Sequence, residues 1–225
     1  MNTNPDAVTV LCYGDSNTYG QRGEDVDRGR WPIDVRWTGL LQDLLGDGYS
    51  VIEEGLNGRT TDLDYPDRVG RNGRAYLVPC LQSHDPVDVV VLWLGANDLK
   101  PQFGRSVADI AVALGRLLDD IETMPSYREG PPPRIVLLGP TPIDSTRPDF
   151  SEFCPPEFAP ALVAKADELR VAVRALAAER GVGYADVGAV AGVGDDGMHL
   201  ARDAHPAVAA LVAGAVRAAS AVTVC

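Results

Sequence analysis

The sequence predicts an α/β fold, with one domain over residues 1–225 built as a three-layer α/β/α sandwich on a five-stranded parallel sheet. Three observations predict it. Five short apolar runs have the length of buried strands, helical patterns separate them, and four of the five runs end in a polar stretch. Strands alternating with helices require crossover connections, and these cover both faces of a parallel sheet.

The first run is "VTVLCYG" at 8–14. It breaks off in Gly14-Asp15-Ser16-Asn17, where Asp15 or Ser16 can cap a helix and Ser16 can also be displayed for chemistry. The segment 35–46, "VRWTGLLQDLLG", spaces its apolar residues at three and four and ends in glycine, as an amphipathic helix does. The second strand is 50–55, followed by "GLNGRTTD" and an irregular stretch over 57–74. The third is "VDVVVLWLG" at 87–95, followed by "GANDLK". Helical spacing resumes over 106–124 and the fourth strand is 134–140. A proline-rich loop spans 139–160, a helix is expected at 159–181 and the fifth strand at 182–187. After it come "GAVAGVGDDGMHL" and a last helix at 207–220. The polar stretches after the first, second, third and fifth strands emerge together on the carboxyl edge of a parallel sheet, where ligands bind.

Composition narrows the class. The chain is 45% hydrophobic and 23% charged, which suits one globular domain with a sizeable core. A net charge of -12 disfavours nucleic acid and anionic membrane as partners. The start of the chain has neither a basic region nor an apolar h-region, and no apolar run approaches the roughly 20 residues of a membrane span. Cys12, Cys80, Cys154 and Cys225 are scattered, without CxxC or zinc-like histidine spacing. They read as reduced thiols of a cytoplasmic protein with no metal and no cofactor, Cys12 being a small core residue.

A serine hydroxyl needs a base. His84 falls before the third strand, on the wrong edge, and His205 in the first turn of the last helix. His199 follows the fifth strand, with Asp195 and Asp196 four and three residues before it. Sequence permits either aspartate to orient it, leaving the other imidazole nitrogen for Ser16. Three-residue spacing puts Asp196 on the same side of a turn as His199. Gly58 offers an unobstructed N–H and Asn97 an amide, the donors an oxyanion needs. Equally, Gly58 fits a turn and Asn97 a helix cap.

In order, "GDSNTYG", a glycine in the second loop, "GAND" and "DGMH" resemble the four blocks of the SGNH, or GDSL-type, hydrolase family. The resemblance implies a flavodoxin-like strand order, with Ser16 as nucleophile, His199 as base and acid, and Asp196 as the orienting carboxylate. It implies an oxyanion hole from the Ser16 N–H, the Gly58 N–H and the Asn97 amide. "DVRWTGLLQDLLG", "VIEEGLNGRTT" and "YLVPCLQSHDPVDVVVLWLGANDLK" are similar to the family's arylesterase and acyltransferase branch, typified by a mycobacterial enzyme. That branch implies short-acyl ester substrates, water or an alcohol as acyl acceptor, and a homo-oligomer. Tyr19 stands where the mycobacterial enzyme has Trp, and Gly58 where it has Ala. The segment 21–30 and the proline-rich loop also differ.

Two other readings stand beside a short-acyl esterase. One is a carbohydrate O-deacetylase with the same machinery. The other is a flavodoxin-like binding module without chemistry, which leaves Asn97 and Asp196-x-x-His199 unexplained. The acidic loop "DLDYPD" at 62–67 reads as solvated, and Arg59 and Arg68 as loop arginines, structural or substrate-facing. Trp37 and Trp93 read as core.

Overall fold

The computed structural model describes residues 2–24, 29–124, 130–152 and 154–221. Its elements run β1 (Val8–Gly14), α1 (Ser16–Tyr19), α2 (Trp37–Leu45), β2 (Tyr49–Gly55), α3 (Gly73–Ser83), β3 (Val89–Trp93), α4 (Val107–Thr123), β4 (Arg134–Leu138), α5 (Ala159–Arg180), β5 (Gly183–Ala185) and α6 (His205–Ala221). The sheet has the order β2-β1-β3-β4-β5, all pairs parallel. This is the five-stranded flavodoxin-like sheet expected. The chain reverses direction across the sheet between β1 and β3, so the loops after these two strands part and leave a crevice.

Alternation along β1 builds two cores. Val10 and Cys12 face Trp37 and Leu41 of α2 and Val208, Val212 and Val216 of α6. Leu11 and Tyr13 face Leu77 of α3, Leu114 of α4 and Leu169 of α5. Each such side chain contributes about 1.5–3 kcal/mol on burial. Trp37 and Trp93 lie in the first core, edge to face at 5.9 Å, as expected of core residues. Helix α4 opens on a reciprocal cap: the Ser106 hydroxyl accepts from Asp109 N–H and the Asp109 carboxylate from Ser106 N–H, both at 3.1 Å. Helix α5 closes at Gly181, φ +64°.

Three expectations need correction. Helix α3 is absent from the sequence reading because Pro79 lies inside it and the apolar pattern is weak. Proline removes one helical hydrogen bond, at about 3 kcal/mol. Asn72 offsets part of this by capping Ala75 N–H at 3.2 Å, and Leu77, Cys80 and Leu81 are fully buried. The acidic loop 62–67 is not wholly solvated, since Asp62 pairs with Arg105 at 2.6 Å and Arg116 at 3.2 Å, and Tyr65 is buried. Finally, Arg202–Ala221 forms a 20-residue helical stretch of hydropathy 1.2, long and apolar enough to span a membrane. Its valines pack on the sheet and α2, as a core helix packs. Cys12, Cys80 and Cys154 are buried free thiols; Cys225 lies outside the described residues.

Candidate active site

The turn after β1 has no room for side chains at its start. A Cβ on Gly14 would meet Thr18 Oγ1 at 2.1 Å and the Trp93 carbonyl at 3.0 Å. Asp15 then caps α1, accepting from Asn17 N–H at 3.0 Å, and Ser16 is the first helical residue. The capping reading of this turn therefore holds for Asp15, with Ser16 directly after the cap. Helix α1 lasts one turn and stops at Gly20, φ +84°, so Ser16 remains at the sheet's carboxyl edge.

The last loop is stitched to this turn. Asn17 Oδ1 accepts from Leu200 N–H at 2.9 Å, and the Gly23 carbonyl accepts from Asp196 N–H at 3.0 Å. Gly197, at φ +72°, lies so close to the proline-rich loop that a Cβ would meet the Asp144 carbonyl at 2.2 Å. These contacts bring three predicted residues into a line. Ser16 Oγ is 2.9 Å from His199 Nε2, and His199 Nδ1 is 2.5 Å from Asp196 Oδ2. Asp196 Oδ1 accepts from the N–H groups of Met198 and His199, each at 2.9 Å. Burial pushes the Asp196 carboxyl up, but the hydrogen bonds and charge of His199 outweigh it and hold the group below its ordinary range. The Asp195 carbonyl accepts from Asp149 N–H at 3.0 Å.

The other two histidines lie elsewhere. His205 opens α6, and its Nδ1 accepts from Trp37 N–H at 3.1 Å. Burial pushes it down to about 4, so it is neutral near pH 7. His84 ends α3 with Nε2 3.0 Å from Glu54 Oε1.

Gly58 and Asn97 line the same cavity as Ser16 and His199. Gly58 has φ +79°. The N–H groups of Ser16 and Gly58 have no acceptor among the described residues, and both residues line the same cavity. Backbone N–H groups in a protein interior are nearly always paired, so two open donors facing one space are a site for an acceptor. Asn97 Nδ2 donates to the Arg59 carbonyl at 3.1 Å and to Asp15 Oδ2 at 3.3 Å. With acceptors on both sides, the nitrogen end of this amide is fixed. Asp15 is buried, which pushes its carboxyl up to about 6 against the opposing pull of Asn17 N–H and His199.

Several supporting residues were not legible as such. Asp98 binds Thr61 through both backbone N–H (3.0 Å) and hydroxyl (2.5 Å), and also takes Arg105 at 3.0 Å, tying the second loop to the third. Arg59 is structural: it is buried, bonds the Gly14 and Glu54 carbonyls and lies 4.2 Å over the Tyr13 ring. Arg68, Tyr65 and Lys100 line the cavity, whose volume is about 600 Å³. The same cavity is also lined by Ile143, Leu162, Ala166 and Met198. Acidic "GAND" and the aromatic in "DLDYPD" were visible signals for Asp98 and Tyr65, without a periodic pattern to read them by.

Among the described residues one group has metal-ligand chemistry: Glu54, Cys80 and His84, with ligand atoms within 4.8 Å of one another. It is not part of the cavity lining. Burial, then Glu54, pushes the Cys80 thiol up to about 12, the condition of a protonated thiol hydrogen-bonded to its carboxylate neighbour.

A parallel five-stranded sheet with serine, histidine and aspartate gathered at its carboxyl edge has the architecture of a serine hydrolase. The chain belongs to the GDSL-like lipase/acylhydrolase family, whose model matches residues 12–210. It is similar to a carbohydrate acetylesterase from Sinorhizobium meliloti, at 34% identity and TM-score 0.85 over 94% of this chain and 99% of that one. It is similar to the aryl esterase of M. smegmatis at 34% identity and TM-score 0.83, over 95% and 100% of the two chains. An acetylxylan esterase of Xylanibacter ruminicola is 33% identical over 105 residues, which is 43% of this chain and 18% of that protein.

Proposed function

We propose that this protein is a serine esterase that hydrolyses short-acyl carboxylic esters and can pass the acyl group to an alcohol. The observation that carries the reading is the unbroken line Ser16–His199–Asp196, at 2.9 and 2.5 Å. In it, His199 Nε2 takes the hydroxyl proton as Ser16 Oγ attacks the ester carbonyl. Asp196 holds the imidazole tautomer and stabilises the imidazolium. The N–H groups of Ser16 and Gly58 receive the oxyanion, joined by an Asn97 amide N–H that exchanges its long 3.3 Å bond to Asp15 for the substrate oxygen. Collapse expels the alcohol, protonated by His199, and leaves an acyl-enzyme. Water or a second alcohol, deprotonated by the same imidazole, releases the acyl group. The reading assigns no step to a metal or cofactor, and places the protein in the cytoplasm, acting on small molecules as a homo-oligomer.

A second reading, O-deacetylation of a carbohydrate, uses the same residues. It is favoured by the names of two relatives, a carbohydrate acetylesterase and an acetylxylan esterase. The test common to both is a nitrophenyl ester panel from acetyl to octanoyl. Wild-type turnover is expected to be highest from acetyl to butanoyl and to vanish in Ser16→Ala, with the circular dichroism of the variant unchanged. Faster turnover of octanoyl than acetyl esters, or persistent turnover in the variant, would overturn it.

A further inference from the structure

Many cations among the described residues have carboxylate partners. Arg36 pairs with Glu53, Arg74 with Asp120, Arg105 with Asp62 and Asp98, and Arg170 with Asp186. Two cations in the wall of the cavity do not. Arg68 donates to the Asn57 carbonyl at 3.1 Å and lies 5.2 Å from the Tyr65 ring centre. Lys100 Nζ donates to the Tyr65 hydroxyl at 3.0 Å. Neither has a carboxylate within 4.0 Å among the described residues, although the chain carries a net charge of -12. Asp67 and Glu152 also line the cavity, yet pair with neither.

Two like charges gathered on one tyrosine, partly removed from water, are costly unless an anion joins them. Burial, and then Arg68, holds the Lys100 ammonium below its ordinary range, and the charges of Asp15 and Asp98 offset this only in part. The pair also lies beside the reacting centre. A Cβ on Gly58 would fall 2.7 Å from Arg68 Nη1, so the guanidinium covers the very glycine whose N–H is open. The cavity lining also includes the apolar side chains of Ile143, Leu162, Ala166 and Met198. The cavity thus offers an ester both apolar side chains for an acyl group and two cations for a charged group.

We propose that Arg68, Lys100 and the Tyr65 hydroxyl form an anion subsite, and that the substrates are short-acyl esters of alcohols that bear a carboxylate or phosphate, such as acylated hydroxy acids or sugar acids. The inference rests on the esterase reading for its reaction but not for its binding, and the two are separable by experiment. An arginine fork matches a carboxylate or phosphate, and a neighbouring ammonium adds charge.

The experiment compares kcat/KM for three aryl acetates: neutral, carboxylate-bearing and phosphate-bearing. Wild type is set against Arg68→Gln, Lys100→Met and the double variant. The ratio of charged to neutral kcat/KM is expected to fall about tenfold in each single variant and further in the double. In wild type it should shrink as salt is raised through the screening range. The arm with the larger ratio identifies the anion. In parallel, Ser16→Ala is titrated calorimetrically with the carboxylate-bearing and the neutral phenol products. Tighter binding of the charged product, lost on adding Arg68→Gln, supports the subsite even where no ester is turned over. Ratios constant within twofold across the variants, or equal binding of the two products, would overturn it. Failure of every ester in wild type sinks the esterase reading alone.

Discussion

The two sides of Ser16 are built on opposite principles. On the base side nearly every polar atom is spent. Asp196 uses one oxygen on two backbone N–H groups and the other on the imidazole, and its own N–H goes to the Gly23 carbonyl. On the side proposed for the oxyanion the N–H groups of Ser16 and Gly58 are unspent among the described residues, and only the Asn97 amide is engaged, by Arg59 and Asp15. The backbone there is fixed by bonds that face away from the cavity: Asp98 to Thr61, and Arg59 to the Gly14 carbonyl. The difference shows where preorganisation is needed. A base must be held in one tautomer before substrate arrives, so its network is closed. An oxyanion hole must keep rigid donors without an internal acceptor, so its bonds lie behind it.

The largest expected effect breaks the closed side. Asp196 accepts on both oxygens, and an amide has only one acceptor. In Asp196→Asn the carbonyl oxygen stays with the two backbone N–H groups and the NH₂ faces His199 Nδ1. That forces the imidazole proton onto Nε2, where it cannot receive the Ser16 proton. Turnover of an acetyl ester near pH 7–8 should fall by at least about 10², toward the ~10⁴ seen when such a triad carboxylate is neutralised. Asp195→Asn keeps its backbone bond to Asp149 and should lose less than about tenfold. If the two variants exchange roles, the closed network has been assigned to the wrong aspartate. The next effect opens the other side further. Asn97→Ala removes one oxyanion donor and should cost roughly 10²–10³ in kcat, with little change in KM. Near wild-type kcat would reduce Asn97 to a link between Arg59 and Asp15.

The same contrast explains what the sequence made legible. The strands were readable because β1 and β3 are apolar runs closed by glycine. Ser16, Gly58, Asn97 and His199 were readable because each follows a strand and so must emerge on one edge. Helix α3 was not readable, since Pro79 contradicts local propensity and only tertiary burial of Leu77 and Leu81 overrides it. Asp98 was not readable as an anchor because its partner Thr61 lies 37 residues away on another loop. The cationic wall shares this difficulty, since Arg68 and Lys100 meet only through Tyr65. Local pattern finds what a strand end dictates; it does not find pairings that only the closed fold creates.

The smallest effect concerns the residue where the two sides join. Asp15 caps the nucleophile turn and accepts from Asn97, and burial raises its carboxyl from 3.8 to about 6. Between these values the folded protein holds a proton that the unfolded chain has released. Stability from this group is therefore present at low pH and is lost as pH rises from about 4 to 6. The full shift corresponds to roughly 3 kcal/mol. Asp15→Asn cannot ionise and should escape this loss. The amide also sets its NH₂ against the Asn97 amide, a penalty that does not vary with pH. The informative quantity is hence the change in the difference between variant and wild type, which also cancels the titration of His205 and Asp196. Denaturant midpoints at pH 4, 5.5 and 7 should show the variant gaining on wild type by about 1–3 kcal/mol across the series. Turnover should fall, because Asn97 loses the acceptor that orients it. A difference that stays constant with pH would mean Asp15 ionises as an ordinary carboxylate and that burial imposes no net cost on its charge at this junction.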